Sequence, residues 1–205
     1  MTTLYLIRHG ENDFMRQHKL AGWLPGIHLN DRGRSQAEAL VPLFEEVQLQ
    51  AIYSSPLERT TETAAPLARA RGLAVQRRTG LGETRCGRWE GQSISRLRRL
   101  KMWSQLQTTP SLVTIPEGES FRELQARILT ELERILETHA GAVACFSHAD
   151  PIKLALAHYL GQPLDLFQRL TIEPASISTL LIQDGRVRVQ SINDTRATRS
   201  PTARR

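Results

Sequence analysis

Apolar positions along this chain follow two rhythms. Short apolar runs bounded by polar or glycine-containing segments read as buried strands, and apolar residues every three or four positions read as helices. Leu4 to Ile7 is the first run, and it ends on Arg8-His9-Gly10-Glu11. Residues 11–30 hold the breakers Gly22, Pro25, Gly26 and Asn30, so an irregular segment is expected there. A helix is expected from about Asp31 to Glu46, with Ala37, Leu40, Val41 and Phe44 on one face. Ala51 to Ser54 reads as the second strand. Ser55, Pro56 and Glu58 then match a capping box with proline at the first helical position, so the next helix should run from there to Arg71 and stop at Gly72.

Leu73 to Gln76 reads as a third, short strand. Residues 79–118 look like a lid-like loop region with a basic helix near Ile94 to Leu106. Phe121, Leu124, Ile128, Leu132 and Ile135 predict a long amphipathic helix from Ser120 to Thr138. Ala142 to Phe146 is the fourth strand, and Asp150-Pro151 should open a helix that ends near Gly161. Ser178–Ile182 and Val187–Ser191 flank Asp184-Gly185, which is a hairpin signal. Strands alternating with helices predict a three-layer α/β/α sandwich. Its central sheet should be mostly parallel, with antiparallel pairing from the final hairpin. One domain is expected over residues 1–195.

Composition narrows the class. The chain has 205 residues, 40% of them hydrophobic and 23% charged, which suits a soluble globular domain. No apolar run is long enough to cross a bilayer, and Met1 to Ile7 reads as a strand rather than a signal peptide. Two cysteines, Cys86 and Cys145, make no disulfide framework, so reduced thiols and a cytoplasmic setting are expected. The formal charge of +6 would suggest nucleic acid, yet Arg196, Arg199, Arg204 and Arg205 carry four of those charges. They lie in a tail, residues 196–205, without apolar periodicity. It reads as a disordered basic end, and no nucleic-acid or membrane partner is expected.

In open α/β sheets, ligands gather at the carboxyl ends of the strands. Here the first strand is followed by Arg8 and His9, the second by Ser55 and Arg59, and the fourth by Ser147-His148-Ala149-Asp150. Glu83 follows the third strand, just after Gly80 and Gly82. Two arginines near a helix N-terminus suit a phosphoryl group, because guanidinium groups pair with its oxygens and the helix end adds N–H donors. A neutral imidazole can attack phosphorus, and a carboxylic acid can protonate the leaving oxygen. His18 and His28 stand nine and ten residues from their nearest histidine, which fits no compact metal pattern, so no metal is expected.

These segments carry a resemblance. Arg8-His9-Gly10-Glu11 is followed by Leu29-Asn30-Asp31-Arg32-Gly33 with Gln36-Ala37, and by Ser54-Ser55-Pro56-Leu57-Glu58-Arg59-Thr60 with Thr63-Ala64. Then come Glu83 with Gly87, Trp89, Glu90 and Gly91, Gly118-Glu119-Ser120, and Ser147-His148-Ala149-Asp150-Pro151-Ile152-Lys153. In that order they resemble the histidine phosphatase superfamily, also called the phosphoglycerate mutase-like family, over about residues 4–193. The resemblance implies that His9 forms a phosphohistidine, that Glu83 is the proton donor, and that Arg8, Arg59 and His148 hold the phosphoryl oxygens. Asn12, Gly22 and Ala149 are further candidates for substrate binding, and Glu11 would order the nucleophile loop. No cofactor is implied, the substrate would be a small phosphorylated metabolite, and a homodimer is left open.

Departures from the family pattern are specific. Met15 stands where the family often has an asparagine that helps bind the phosphoryl group, Ala149 where glycine is common, and Glu117 where glycine often precedes Gly118. Gly22-Trp23 is similar to the mutase branch, but mutases carry a longer insertion between the acid and the second histidine. A phosphohydrolase is therefore the first expectation. A phosphomutase is the alternative, and a non-enzymatic phospho-ligand binder is the alternative of another class. Arg85 and Arg88 are the candidates for a lid that attracts anions, Arg96, Arg98, Arg99 and Lys101 form either a solvated face or part of that lid, and Trp23 and Trp89 should pack loops around the pocket.

Overall fold

Residues alternate in direction along the first strand, β1 (Thr2–Arg8), and both sides are apolar. Leu4 and Leu6 enter one buried cluster, whereas Tyr5 and Ile7 enter another. The same division recurs in β2 (Leu49–Ser54) and β4 (Ala142–Ser147): Ala51, Tyr53, Val143 and Cys145 face one way, and Ile52, Ala144 and Phe146 the other. A strand that is apolar on both faces needs cover on both faces. The computed structural model, which describes residues 1–196 and 198, supplies it and gives the expected three layers.

One layer holds α6 (Phe121–Thr138) and α7 (Ala149–Tyr159), which contribute Ile128, Leu132, Ile135, Ile152, Ala155 and Leu156 to the first cluster. The other holds α2 (Asp31–Ala39) and α3 (Glu58–Arg71), with Ala64, Leu67 and Ala68 from α3 and Leu40 and Phe44 from the segment after α2. The sheet order is β3-β2-β4-β1-β5-β6, with β3 at Val75–Arg77, β5 at Ile177–Gln183 and β6 at Arg186–Asp194. β1 pairs with β4, and β2 with both β3 and β4, in parallel; β5 pairs antiparallel with β1 and β6. The β5–β6 turn has positive φ at both Asp184 and Gly185, as a tight two-residue hairpin of the favoured twist requires.

Several element boundaries differ from the sequence pattern. The helix expected over 31–46 ends at Ala39 and continues only as a 3-10 turn at Val41–Phe44, because Pro42 cannot donate a backbone hydrogen bond. The irregular stretch 11–30 contains one short helix, α1 (Asp13–Arg16), capped by the Asn12 side chain. The basic helix near 94–106 is two helices, α4 (Ile94–Leu97) and α5 (Lys101–Thr108), separated at residues 98–100. Asp150 is not the N-cap of α7; His148 occupies that position, and Asp150 lies in the first turn. The expected disorder of the tail falls mostly outside the described residues.

The capping box at Ser55 does not form. α3 begins at Glu58 with Leu57 as N-cap and no side-chain cap. The Ser55 hydroxyl is drawn instead to His148 Nε2, 2.9 Å away. A true capping box stands at Ser120, whose hydroxyl and Glu123 cap α6 reciprocally. Among the described residues, no helix is long and apolar enough to cross a membrane.

Candidate active site

The site forms where neighbouring parallel strands send their chains to opposite faces. β1 leads towards α2 on one layer, and its neighbour β4 leads directly into α7 on the other. A crevice at the carboxyl ends of such strands is where α/β sheets bind ligands. His9 follows β1 and His148 follows β4. Their rings meet edge to face at 5.1 Å between centroids.

The loop after β1 is fixed by main-chain contacts. His9 N–H donates to the Ser147 carbonyl, and Gly10 N–H donates to Thr63 Oγ1. Gly10 lies flat against Gly33: a Cβ on Gly10 would come within 2.7 Å of the Gly33 carbonyl oxygen, so no larger residue fits without a shift. Glu11 ties the loop to the next segment. Its N–H donates to Gln36 Oε1, its carbonyl accepts from Asn30 N–H, and its carboxylate accepts from Asn30 Nδ2. The ordering role expected for Glu11 is thus visible in its contacts.

His9 is buried, and its Nδ1 lies 2.7 Å from the Gly10 carbonyl oxygen. A carbonyl can only accept, so Nδ1 carries the proton and the lone pair resides on Nε2. Burial, reinforced by the Arg59 and Arg8 charges, holds the ring's pKa well below the ordinary imidazole range. His9 is therefore neutral at pH 7, the form that can act as a nucleophile. His148 is fully buried and is likewise kept neutral, first by burial and then by Arg59, His9 and Arg8.

Arg59 projects from the first turn of α3, is 1% exposed, and donates through Nη2 to the Gly22 carbonyl. Arg8 donates to the Ile172 carbonyl and reaches Met15 Sδ at 3.7 Å. Burial lowers both guanidinium pKa values, with the Glu83 carboxylate opposing that shift. Arg8 Nε, Asn12 Nδ2, Arg59 Nη1 and His148 Nδ1 are all buried and have no hydrogen-bond partner among the described residues. Each such group costs about 1–3 kcal/mol if left unsatisfied. Arg8, Asn12 and Arg59 line one cavity with His9, and His148 adjoins the His9 ring, so together they offer a cradle of donors to an anion with several acceptor oxygens.

Glu83 sits after β3 on the same edge. Its side chain is 18% exposed, and Oε2 lies 3.8 Å from His148 Nδ1. Burial, then the nearby Asp150 charge, push its pKa up to about 7, against the pull of Arg59, the Thr84 N–H and Arg8. A cavity of about 290 Å³ opens here, lined by Arg8, His9, Asn12, Arg59, Glu83 and Asp150 on one side. Met15, His18, Lys19, Leu20, Ala21, Gly22, Thr84, Cys86 and Ile94 complete its walls.

Of the candidates read from the sequence, Arg8, His9, Asn12, Gly22, Arg59 and Glu83 line this cavity, and His148 adjoins His9. Ala149 opens α7 but is not among the lining residues. Glu117 adopts φ of 59°, which explains in steric terms why glycine suits that position. The expected lid arginines turn elsewhere: Arg88 pairs with Glu117, and Arg85 stacks on the Trp23 ring at 4.7 Å. Arg96, Arg98, Arg99 and Lys101 are solvent-exposed and do not line the cavity. His28 pairs with Glu62 at the surface, away from His9 and His18. Trp23 and Trp89 pack as expected, and Trp23 also donates its indole N–H to the Glu83 carbonyl. Cys86 and Cys145 are free and lie in separate clusters.

Sequence reasoning missed the link from Ser55 to His148, because the same residues spell a helix cap. It also missed Arg127, a single polar residue on a helix whose pattern does not mark it, and it named Thr63 only within the family resemblance, without its contact to the Gly10 N–H.

Comparison with known proteins identifies the family and the fold. The family model described as the histidine phosphatase superfamily (branch 1) matches residues 4–195. The bifunctional protein Rv2228c of Mycobacterium tuberculosis is 34% identical over 203 residues, covering 95% of this chain and 54% of that protein. The chain thus spans about half the length of this relative. Phosphoserine phosphatase 1 of Hydrogenobacter thermophilus is 28% identical over 201 residues, covering 95% of this chain and 93% of that one. The solved structure of YhfR from Bacillus stearothermophilus superposes with a TM-score of 0.91 at 28% identity, covering 97% of this chain and all of that one.

Proposed function

The chain belongs to the histidine phosphatase superfamily, and from that premise we propose that it hydrolyses small phosphomonoesters through a phosphohistidine on His9. One observation carries the reading: among the described residues, four buried nitrogens without a partner belong to Arg8, Asn12 and Arg59, which share a cavity with His9, and to His148, which adjoins its ring, while His9 Nδ1 is held by the Gly10 carbonyl. The cradle binds the phosphoryl oxygens and stabilises the charge that spreads over them in the transition state.

In the first step, His9 Nε2 attacks phosphorus in line with the ester oxygen. The P–O bond breaks, its electron pair stays on the leaving oxygen, and protonated Glu83 supplies the proton that makes the free alcohol. In the second step, the Glu83 carboxylate takes a proton from water while the water oxygen attacks phosphorus. The P–N bond breaks, its pair returns to Nε2, and inorganic phosphate leaves. A pKa of about 7 lets Glu83 serve as acid and then as base near neutral pH.

Hydrolysis is favoured over phosphoryl transfer between two positions of a phosphorylated acid. Arg85 and Arg88 are engaged by Trp23 and Glu117, so among the described residues Lys19 is the one lysine or arginine beyond the cradle that lines the cavity and could meet a second anionic group. The carbon-rich wall of Met15, Leu20, Ala21 and Ile94 suits the organic part of a phosphomonoester. Two buried, unpaired cysteines support a reducing, cytoplasmic setting.

The test is a panel of phosphomonoesters with wild type and His9→Ala. Phosphate release by wild type, with a trapped phosphoprotein that is absent in His9→Ala, is the expected result. Isomerisation of a phosphorylated glycerate faster than phosphate release would select the mutase instead.

A further inference from the structure

The acid loop has almost no secondary structure of its own, yet each of its carbonyls has a donor. Residues 79–83 contain one 3-10 turn and then an extended Gly82. The Leu81 carbonyl accepts from Ser147 Oγ. The other four carbonyls meet one side chain. Arg127 Nη1 lies 3.2 Å from the Thr79 carbonyl oxygen and 3.1 Å from those of Gly80 and Gly82, and Nη2 lies 3.0 Å from that of Glu83. Arg127 is 19% exposed, on the face of α6 that meets this loop.

The guanidinium is itself held. Glu119, 9% exposed, accepts from Arg127 Nη2 at 2.7 Å and from Nε at 3.3 Å. The same Glu119 oxygen, Oε1, accepts the Arg85 N–H at 2.8 Å. Arg127 therefore grips the chain up to Glu83, and its partner grips the chain two residues beyond. Glu83 has little independent freedom, since its own Oε1 is tied to the Thr84 N–H at 2.8 Å. The trace of the loop sets the position of the carboxyl group.

We propose that Arg127, braced by Glu119, is the positioning residue that fixes Glu83 for proton transfer. The proposal rests on the reading of Glu83 as the acid. It follows from geometry: four carbonyl oxygens spread along a loop need donors spread over a rigid plane, which guanidinium provides and a lysine ammonium does not. Placement matters more for the acid than for the cradle, because displacement of a reacting group by about 1 Å can cost about 100-fold.

The experiment compares Arg127→Gln, Arg127→Lys, Glu119→Gln and Glu83→Gln on an alkyl phosphate and on p-nitrophenyl phosphate, whose leaving group needs little protonation. Arg127→Gln is expected to lose roughly 30–100-fold in kcat on the alkyl phosphate but less than about 3-fold on the nitrophenyl ester. Inhibition by inorganic phosphate should change little, because Arg127 makes no hydrogen bond to a cradle residue and reaches His148 only through its charge, which Arg127→Lys retains. Arg127→Lys should show the same split, since it keeps the charge without the fork, and Glu119→Gln a weaker one. In the Glu83→Gln background, Arg127→Gln should cost less than about 2-fold more on the alkyl phosphate, because the two residues act as one unit.

Equal losses on both substrates, or full multiplication of losses in the double variant, would overturn the proposal while leaving Glu83 as the acid. An absent split in Glu83→Gln alone would remove the acid reading and this proposal with it. If Arg127→Gln does not fold, Arg127→Lys and Glu119→Gln decide the question by the same readouts.

Discussion

Glu83 Oε2 and His148 Nδ1 stand 3.8 Å apart, and the site keeps the imidazole uncharged while holding the carboxyl group at the balance point between its two forms near neutrality. Burial drives the carboxyl group up to about 7 and the imidazole well below its ordinary value. The contact is thus not an ion pair: the ring is neutral, and below about pH 7 it faces a protonated carboxyl group. A pH profile of kcat/KM on an alkyl phosphate should fall as pH rises through about 7, when Glu83 loses its proton. The acid-side limb should lie well below pH 6.5, because His9 and His148 resist protonation. Loss of the upper limb in Glu83→Gln checks the assignment; an upper limb that persists there belongs to another group.

The same shift predicts a stability effect. The folded Glu83 holds its proton up to about pH 7, whereas in the unfolded chain it ionises near 4.5. Between those values the native state binds more protons, so this group's contribution falls as pH rises through that window. Glu83→Gln should therefore raise the melting temperature by about 3 °C or more at pH 8 and have little effect at pH 4. Thermal melts of both proteins at the two pH values measure it, and an equal shift at both would contradict it.

Ser55→Ala removes the hydroxyl that holds His148 Nε2. Ser55 Oγ also accepts from the Leu57 N–H at 3.4 Å, so its proton is available to the ring, and Nδ1–H then points a donor at the phosphoryl group. A loss of about 10-fold in kcat/KM is expected, with weaker inhibition by inorganic phosphate. Unchanged phosphate inhibition would show that the hydroxyl does not orient the ring.

Asn12 has two separable roles. Its Oδ1 caps α1 by accepting the Met15 N–H, whereas its Nδ2 is buried without a partner. Asn12→Asp keeps the cap but replaces the donor by a carboxylate that repels phosphate. It should lose more than about 10-fold in kcat/KM, by the cost of a lost charge-assisted bond. Asn12→Ser, which also caps, should be less damaging. Steady-state kinetics of the two variants decide whether Asn12 supplies the amide that Met15 lacks.

The strand ends were legible because each apolar run gives way to polar residues, Arg8-His9 after the first, Ser54-Ser55 after the second and Ser147-His148 after the fourth. That pattern put Arg8, His9 and His148 at strand ends and Arg59 and Glu83 in the segments that follow, whereas their expected roles came from the family resemblance. What failed was local pattern matching where a distant residue competed. Ser-Pro-x-Glu spells a cap, but a buried histidine 93 positions away takes the Ser55 hydroxyl, and α3 starts later. Pro42 ends a helix whose apolar period runs on through Phe44. Arg127 was illegible because its neighbours Arg122 and Arg134 share its polar setting on α6. Only the loop folded against it distinguishes Arg127.

Gly10 and Gly33 meet main chain to main chain, and a Cβ on Gly33 would come within 2.1 Å of the Glu11 carbonyl oxygen. No side chain lies at that junction to be enlarged or trimmed, so the position of His9 cannot be adjusted there by small steps. Variation in the shape of the cavity can instead enter through lining side chains such as Met15, Leu20 and Ile94, which lie outside that junction. The fold thereby separates a part of the site closed to gradual change from a part open to it.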